Sequence, residues 1–175
     1  PALEPDEFGR SLTGIRTQGK VVRFRTTEDL ERALREHAPS AGVIVMSAAV
    51  ADYRPKKGSV GGKIRRADAG LVLELEPTPD LLAGIGKNKK PDQLLVGFAL
   101  EPRDRLLDSA REKLVRKSLD LIVANPLETM ESGEIEARVL GKAGEDFSTG
   151  GRVSKSDFAG WLFDILERGS ASLSS

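Results

Sequence analysis

The 175 residues contain no cysteine. Disulfides, thiolate metal sites and a cysteine nucleophile are thereby excluded within them, and the composition is compatible with a reducing, cytoplasmic setting. Histidine is nearly missing as well: the single one, His37, falls in a predicted helix after Glu36 and reads as a solvated side chain. Net charge is absent, with 27 basic against 27 acidic side chains, so no global field draws the chain to nucleic acid or a membrane surface. No apolar run reaches the roughly 20 residues needed to span a bilayer, and no signal peptide is recognisable. Neither the phosphate-binding G-x-x-x-x-G-K-[ST] loop nor the dinucleotide G-x-G-x-x-G pattern occurs, so the two commonest nucleotide motifs give no guidance.

What is present is enough chain for one domain with a substantial core. Residues 1–20 are polar and read as an irregular start, 21–168 as the folded domain, and 169–175 as a small, polar, disordered tail. Val21-Val22-Arg23-Phe24-Arg25 reads as a strand, followed by a helix capped by Thr27 with Leu30, Ala33 and Leu34 inward. Val43 to Val50 has the continuous apolar character of a strand covered on both faces. Leu71, Leu73 and Leu75 alternate with Val72, Glu74 and Glu76, which suggests that residues 63–76 form a hairpin-like arm outside the main sheet. Thr78-Pro79-Asp80 looks like a helix start with Thr78 as cap. Leu94–Ala99 is a further buried strand. A helix over about 103–117 turns Leu107, Ala110 and Leu114 inward, and Leu119–Ala124 is the next strand. A weaker strand covers 135–140. Ser154 and Asp157 open a final helix with Phe158, Trp161, Leu162, Ile165 and Leu166 on one stripe, Trp161 being core.

Strands alternating with helices predict an α/β fold: a Rossmann-like, mainly parallel sheet with helices on both faces. Ligands in such sheets bind beyond the carboxyl ends of the strands. Three such ends therefore stand out together: Ser47-Ala48-Ala49, Gly97-Phe98 and Asn125. Asp52, just past the first of them, either caps a turn before Arg54-Pro55 or holds a divalent cation beside a polyphosphate. Lys63, in a loop with Gly58, Gly61 and Gly62, is either a solvated turn or a closing phosphate ligand. Lys113 and Lys117, four apart on one helix, are either a solvated face or a pair that meets a triphosphate. Phe98 is either core or a ring against a base.

The segment Ser-Ala-Ala-Val-Ala-Asp-Tyr-Arg-Pro at 47–55 resembles the signature of bacterial phosphopantothenoylcysteine synthetase, also called phosphopantothenate–cysteine ligase. That family is the C-terminal half of the bifunctional coenzyme A biosynthesis flavoprotein. Four further blocks follow in the family's order. Lys63-Ile64-Arg65-Arg66 is similar to its Lys-Ile-Lys-Lys loop. Thr78-Pro79-Asp80-Leu81 matches its Thr/Asn-Pro-Asp-Ile segment, and Gly97-Phe98-Ala99-Leu100-Glu101 its Gly-Phe-Ala-x-Glu strand. Residues 110–125, with Lys113, Lys117 and Ala124-Asn125, match its lysine-bearing helix and next strand.

The resemblance implies CTP-dependent joining of 4′-phosphopantothenate to cysteine through an acyl-cytidylate. It implies Mg2+ or Mn2+ at the triphosphate with Asp52 as ligand, and a homodimer made through the protruding antiparallel arm. It further implies Met46, Ser47, Ala48, Asp52, Lys63, Thr78, Pro79, Asp80, Leu81, Phe98, Lys113 and Lys117 as the CTP site, with Lys63 and Asp52 closest to the chemistry. FMN belongs to the fused decarboxylase half, which is not among these residues. Partners are the small-molecule substrates, with no nucleic acid and no membrane. Three departures accompany the match. The family's N-terminal block, with its Asn-x-Ser-Ser-Gly helix start, has no counterpart in residues 1–20. Arg65-Arg66 replace two lysines, and the Gly-Phe-Gly-Ser-Asp-x-Asn segment after Asn125 is not recognisable, Ser132-Gly133-Glu134 being a possible remnant. Two alternatives stay open: a relative that binds nucleotide without catalysis, and a NAD(P)-binding module suggested by the sheet pattern alone.

Overall fold

A computed structural model of the chain describes residues 19–56 and 72–173. The expected arm residues before Val72, Lys63 among them, lie outside these. The chain divides into two compact units, Pro1–Glu36 and His37–Ser175.

In the first unit, residues 21–25 do not form the expected strand. A strand must pair its N–H and C=O groups with a neighbour, and no described strand lies alongside; Val21, Val22 and Phe24 stay exposed. Helix α1 spans Thr27–His37 and buries Leu30. Its cap is Thr26, not Thr27: the Thr26 Oγ1 accepts from the Asp29 N–H at 3.1 Å, and the Asp29 carboxylate accepts from the Thr26 N–H at 3.2 Å. This reciprocal pair needs an acid three residues after the cap. Thr26 has one, whereas Leu30 stands at that distance from Thr27.

The second unit carries the sheet. In chain order its elements are β1 (Val43–Met46), β2 (Tyr53–Pro55), β3 (Leu75–Pro77), α2 (Leu81–Asn88), β4 (Leu94–Glu101), α3 (Leu106–Arg116), β5 (Leu121–Pro126), β6 (Glu134–Ile135), β7 (Arg138–Gly141), β8 (Asp146–Ser148), β9 (Val153–Ser154) and α4 (Lys155–Leu173). Five strands form one sheet in the order β1-β4-β5-β7-β8. β1, β4 and β5 run parallel, and β7 and β8 add an antiparallel edge.

The expected α/β architecture is thus present, with local corrections. β1 stops at Met46, and its burial alternates: Ile44 and Met46 are buried, while Val43 and Val45 are exposed rather than covered on both faces. The weak strand at 135–140 is two short strands in different sheets, because β6 pairs with β9 while β7 pairs with β5 and β8. In α3 it is Leu106, with Ala110 and Leu114, that is buried, and Leu107 is half-buried. Helix α4 continues through Gly169 to Leu173, beyond the expected start of the tail. One helical glycine costs only about 1 kcal/mol and does not end a helix by itself.

The apolar stripe of α4 packs as its spacing predicts. Phe158, Leu162, Ile165 and Leu166 join Leu94, Val96, Leu121, Val123 and Val139 in one cluster, with Trp161 half-buried against it. Strand alternation sends Leu95, Gly97 and Ile122 to the opposite face. There Leu119, just past α3, and Leu82 of α2 approach Gly97, and a Cβ at that position would sit 2.7 Å from Leu119. The capping box at α4 is also as expected, with the Ser154 Oγ accepting from the Asp157 N–H at 3.0 Å.

At the amino ends of the parallel strands lies a buried carboxylate, Asp120, 4% exposed. It accepts from the Leu95 N–H at 2.7 Å, from Lys89 Nζ at 3.1 Å and from Lys142 Nζ at 2.5 Å. Burial pushes the carboxyl up, but Lys142, the Leu95 amide and Lys89 together hold it below the ordinary carboxylate value. A carboxyl depressed on folding contributes stability above its unfolded pKa, and that contribution fades as pH falls through the depressed value. Asp120→Asn is therefore expected to lower the unfolding free energy near neutral pH by about 3 kcal/mol, as removal of one partner from a buried ion pair does. In urea titrations, the variant should lose less of its remaining stability than the wild type between about pH 4 and pH 2.

Candidate functional site

The parallel register sets β1, β4 and β5 with their carboxyl ends side by side: Met46 lies beside Gly97, and Leu100 beside Asn125. Just beyond them opens a cleft of about 360 Å3. One side is made by Met46 at the end of β1, by Ser47 to Val50 and Asp52 after it, and by Thr78 to Leu82 at the start of α2. Phe98 and Leu100 lie on its β4 side. The other side is formed by Asn125, Thr129, Met130, Ile135 and Lys155, and Lys117 completes the lining.

Ten of the twelve residues singled out from sequence therefore meet in one place: Met46, Ser47, Ala48, Asp52, Thr78, Pro79, Asp80, Leu81, Phe98 and Lys117. Lys63 falls outside the described residues. Lys113 does not line the cleft. Its ammonium is held by Glu101 at 2.5 Å, where Ser109 also donates to the same carboxylate at 2.9 Å. Lys113 draws the Glu101 carboxyl below its usual value. Spacing placed Lys113 and Lys117 on one helix face, but one turn of separation directs them to different acids.

The turn before α2 is built differently from its sequence reading. Asp80, not Thr78, caps the helix, its carboxylate accepting from the Ala83 N–H at 3.0 Å. Thr78 instead stitches the segment to the β1 side. Its N–H donates to the Asp52 carbonyl at 2.8 Å, and its hydroxyl donates to the Ala51 carbonyl. With its hydroxyl committed to Ala51, Thr78 is not placed to accept from the first turn, and the carboxylate of Asp80 takes the capping role. Asp80 also meets Lys117 Nζ at 3.0 Å. Burial raises the Asp80 carboxyl, and the Ala83 amide with Lys117 more than offsets this, so the group lies below the usual carboxylate value. The Asp52 carboxylate makes no ion pair or hydrogen bond with the described residues, and it faces the cleft rim exposed.

β2 and β3 form a separate antiparallel ribbon, with Arg54 opposite Glu76 and their side chains 2.8 Å apart. It carries exposed Tyr53 and Leu75, with exposed Leu73 just before β3. Of the expected arm over 63–76, only 72–76 are described, and Leu75 and Glu76 belong to this ribbon.

A family profile, the DNA/pantothenate metabolism flavoprotein C-terminal domain, matches residues 10–168. The chain belongs to this family. It is 35% identical over 181 aligned residues to the coenzyme A biosynthesis bifunctional protein CoaBC of Thermococcus kodakarensis, an alignment covering 95% of this chain and 43% of that protein. It is 41% identical over 113 residues to a protein named cysteine/cysteine sulfinic acid decarboxylase from an unknown prokaryotic organism, covering 65% of this chain and 31% of the relative. The chain thus spans less than half the length of these relatives. Among solved structures, the C-terminal domain of a coenzyme A biosynthesis bifunctional protein CoaBC superposes with a TM-score of 0.65 at 29% identity, covering 87% of this chain and 65% of that one. The motif blocks and the fold of this flavoprotein-domain chain therefore point to one family.

Leu82, Thr129, Met130, Ile135 and Lys155 had no motif to mark them. Asn125, a strand end and the last residue of the fifth family-like block, was not among the twelve expected site residues. Its amide donates to the Thr129 hydroxyl at 3.2 Å, which in turn donates to the Pro126 carbonyl at 2.8 Å, so a turn of chain folds over the β5 end. Lys155 follows the capping serine of α4, but only the β6–β9 pairing carries that helix start to the cleft.

Helix α2 sets the Asp80 side of the cleft, and Gly86 sets the closeness of α2 to the end of α3. A Cβ on Gly86 would sit 1.9 Å from the Lys117 backbone carbonyl, whereas one on Gly84 meets nothing within 4 Å. Gly86→Ala should destabilise the fold by about 1–3 kcal/mol through overpacking. Gly84→Ala, at a helix-compatible open position, should stabilise it by about 0.5–1 kcal/mol. Thermal and urea unfolding of the two variants side by side check the contrast.

Proposed function

We propose that this chain carries the ligase step of coenzyme A biosynthesis: CTP-dependent amide formation between 4′-phosphopantothenate and cysteine. The supporting observation is the convergence in one cleft of Ser47-Ala48, Asp52, Thr78–Leu81, Phe98 and Lys117, drawn from four of the five family-like blocks. The decarboxylase name of the 41% identical relative is not carried over, because the alignment covers 31% of that protein.

In this reading a carboxylate oxygen of phosphopantothenate attacks the α-phosphorus of CTP. The bond to the bridging oxygen breaks, and pyrophosphate leaves. The cysteine amine then attacks the acyl carbon, CMP departs and the amine loses a proton. The protein's part is alignment and charge stabilisation. The backbone of Met46, the last residue of β1, and of Ser47 and Ala48 beyond the strand offers donors and acceptors to the base. Phe98, half-buried within β4, gives the ribose or base an apolar face. Lys117, oriented by Asp80, stabilises the polyphosphate. Lys63 is the flap lysine that closes on it.

A magnesium ion fits the donor set. Among the described residues no cluster of three or more His, Cys, Asp or Glu side chains stands ready to hold a metal alone. One carboxylate without a partner among the described residues, Asp52, suits a cation carried in mainly by phosphate oxygens and water. When bound, such an ion would neutralise charge on the leaving pyrophosphate. The reading includes a homodimer through the β2–β3 ribbon, supported by its exposed apolar residues.

Incubation with CTP, 4′-phosphopantothenate, cysteine and Mg2+ should release CMP and pyrophosphate in equal amounts. CTP binding without CMP release would instead favour a non-catalytic nucleotide-binding relative, and no CTP binding would overturn the proposal. Asp52→Asn should raise the Mg2+ concentration needed for half-maximal rate several-fold. Lys63→Ala should lower the rate of cytidylate formation by about 10²-fold, the order lost with one stabilising contact, without changing the melting temperature.

A further inference from the structure

Lys155 belongs to none of the blocks that marked this cleft, yet it lines it. Its backbone is fixed twice. β6 and β9 pair Glu134 with Ser154 and Ile135 with Val153, and the Lys155 N–H donates to the Gly133 carbonyl at 3.1 Å. Its side chain has no ion pair or hydrogen bond with the described residues, although Asp157 lies two residues on. That carboxylate is engaged instead by the Ser154 hydroxyl at 2.7 Å within the helix cap. The other described lysine of the lining, Lys117, is neutralised by Asp80 at 3.0 Å, and Lys113 is held away from the cleft by Glu101.

The charge balance is therefore uneven across the cleft. The side next to β1 carries Asp52, Asp80 and Lys117, while the β5 side carries Lys155 beside the apolar Met130 and Ile135. A cation without a described counter-charge, beside an apolar wall, suits a ligand with an anionic group attached to an aliphatic chain or a sugar. A charge-assisted hydrogen bond to a phosphate oxygen is among the stronger polar contacts available there.

We propose that Lys155 is a ligand-binding residue of this cleft, whose ammonium takes a phosphate group on the β5 side. This rests on the ligase reading of the same site. The phosphate is either the polyphosphate of the nucleotide or the phosphate monoester of the acyl substrate, and a binding experiment separates the two. Wild-type chain, Lys155→Ala and Lys155→Arg are titrated calorimetrically with CTP, cytidine, 4′-phosphopantothenate and pantothenate in Mg2+.

Lys155→Ala should weaken binding of one phosphorylated ligand by about tenfold or more. The matching unphosphorylated compound should be affected less than twofold, and Lys155→Arg should restore most of the loss. A loss confined to CTP assigns Lys155 to the nucleotide, and one confined to phosphopantothenate assigns it to the acyl substrate. If the wild type binds and Lys155→Ala binds equally well, or loses both members of a pair alike, the assignment of Lys155 is wrong while the ligase reading stands. If the wild type binds none of the four, the ligase reading fails and this proposal falls with it.

Discussion

The cleft depends on how the parallel strands are held in register at their other, amino ends. Asp120 ties the first residues of β5 to the start of β4, accepting from the Leu95 amide while its own N–H donates to the Leu95 carbonyl at 2.9 Å. Lys89, after α2, and Lys142, after β7, close on the same carboxylate from two further elements. A buried charge is costly unless each of its lone pairs is met. Here the cost enforces geometry, since slippage of β4 against β5 would strand the carboxylate. With the amino ends locked, Gly97–Phe98 and Asn125 arrive at the same rim beside the end of β1.

A second constraint is steric. The close approach of α2 and α3 at Gly86, and of Leu119 and Leu82 at Gly97, leaves no room for a Cβ. Helix α2 is thereby seated with its capping Asp80 beside Lys117. One carboxylate thus serves as helix cap and as counter-charge. Polar groups that orient a lysine in this way place its charge without leaving it free to wander.

The blocks legible in the sequence were those whose chemistry depends on local order. Small residues after a strand, the Thr-Pro-Asp turn and the aromatic after Gly97 each carry their meaning in adjacent positions, and all reach the cleft. Reading errors fell where two local solutions compete. Thr26 and Thr27, or Thr78 and Asp80, are all residue types that cap helices, and the position of the partner amide decides between them. Residues 21–25 have strand-forming side chains, but a strand is defined by its neighbour, which no local pattern supplies.

By itself, the order of residues determined the alternation of strands and helices, the inward stripe of α4, and which strand ends gather at one rim. These follow from side-chain periodicity and from the handedness and direction that parallel connections impose. Tertiary structure alone decided which charges remain available there. Lys113 and Lys117 differ by one helical turn and are alike in sequence, yet each is claimed by a different carboxylate brought in from a distant strand or turn. Lys155, unmarked by any motif, reaches the cleft because two short strands remote in sequence, β6 and β9, pair and set the start of α4. Electrostatic partnership depends on distances of a few ångströms between remote segments, and only the folded chain sets those distances.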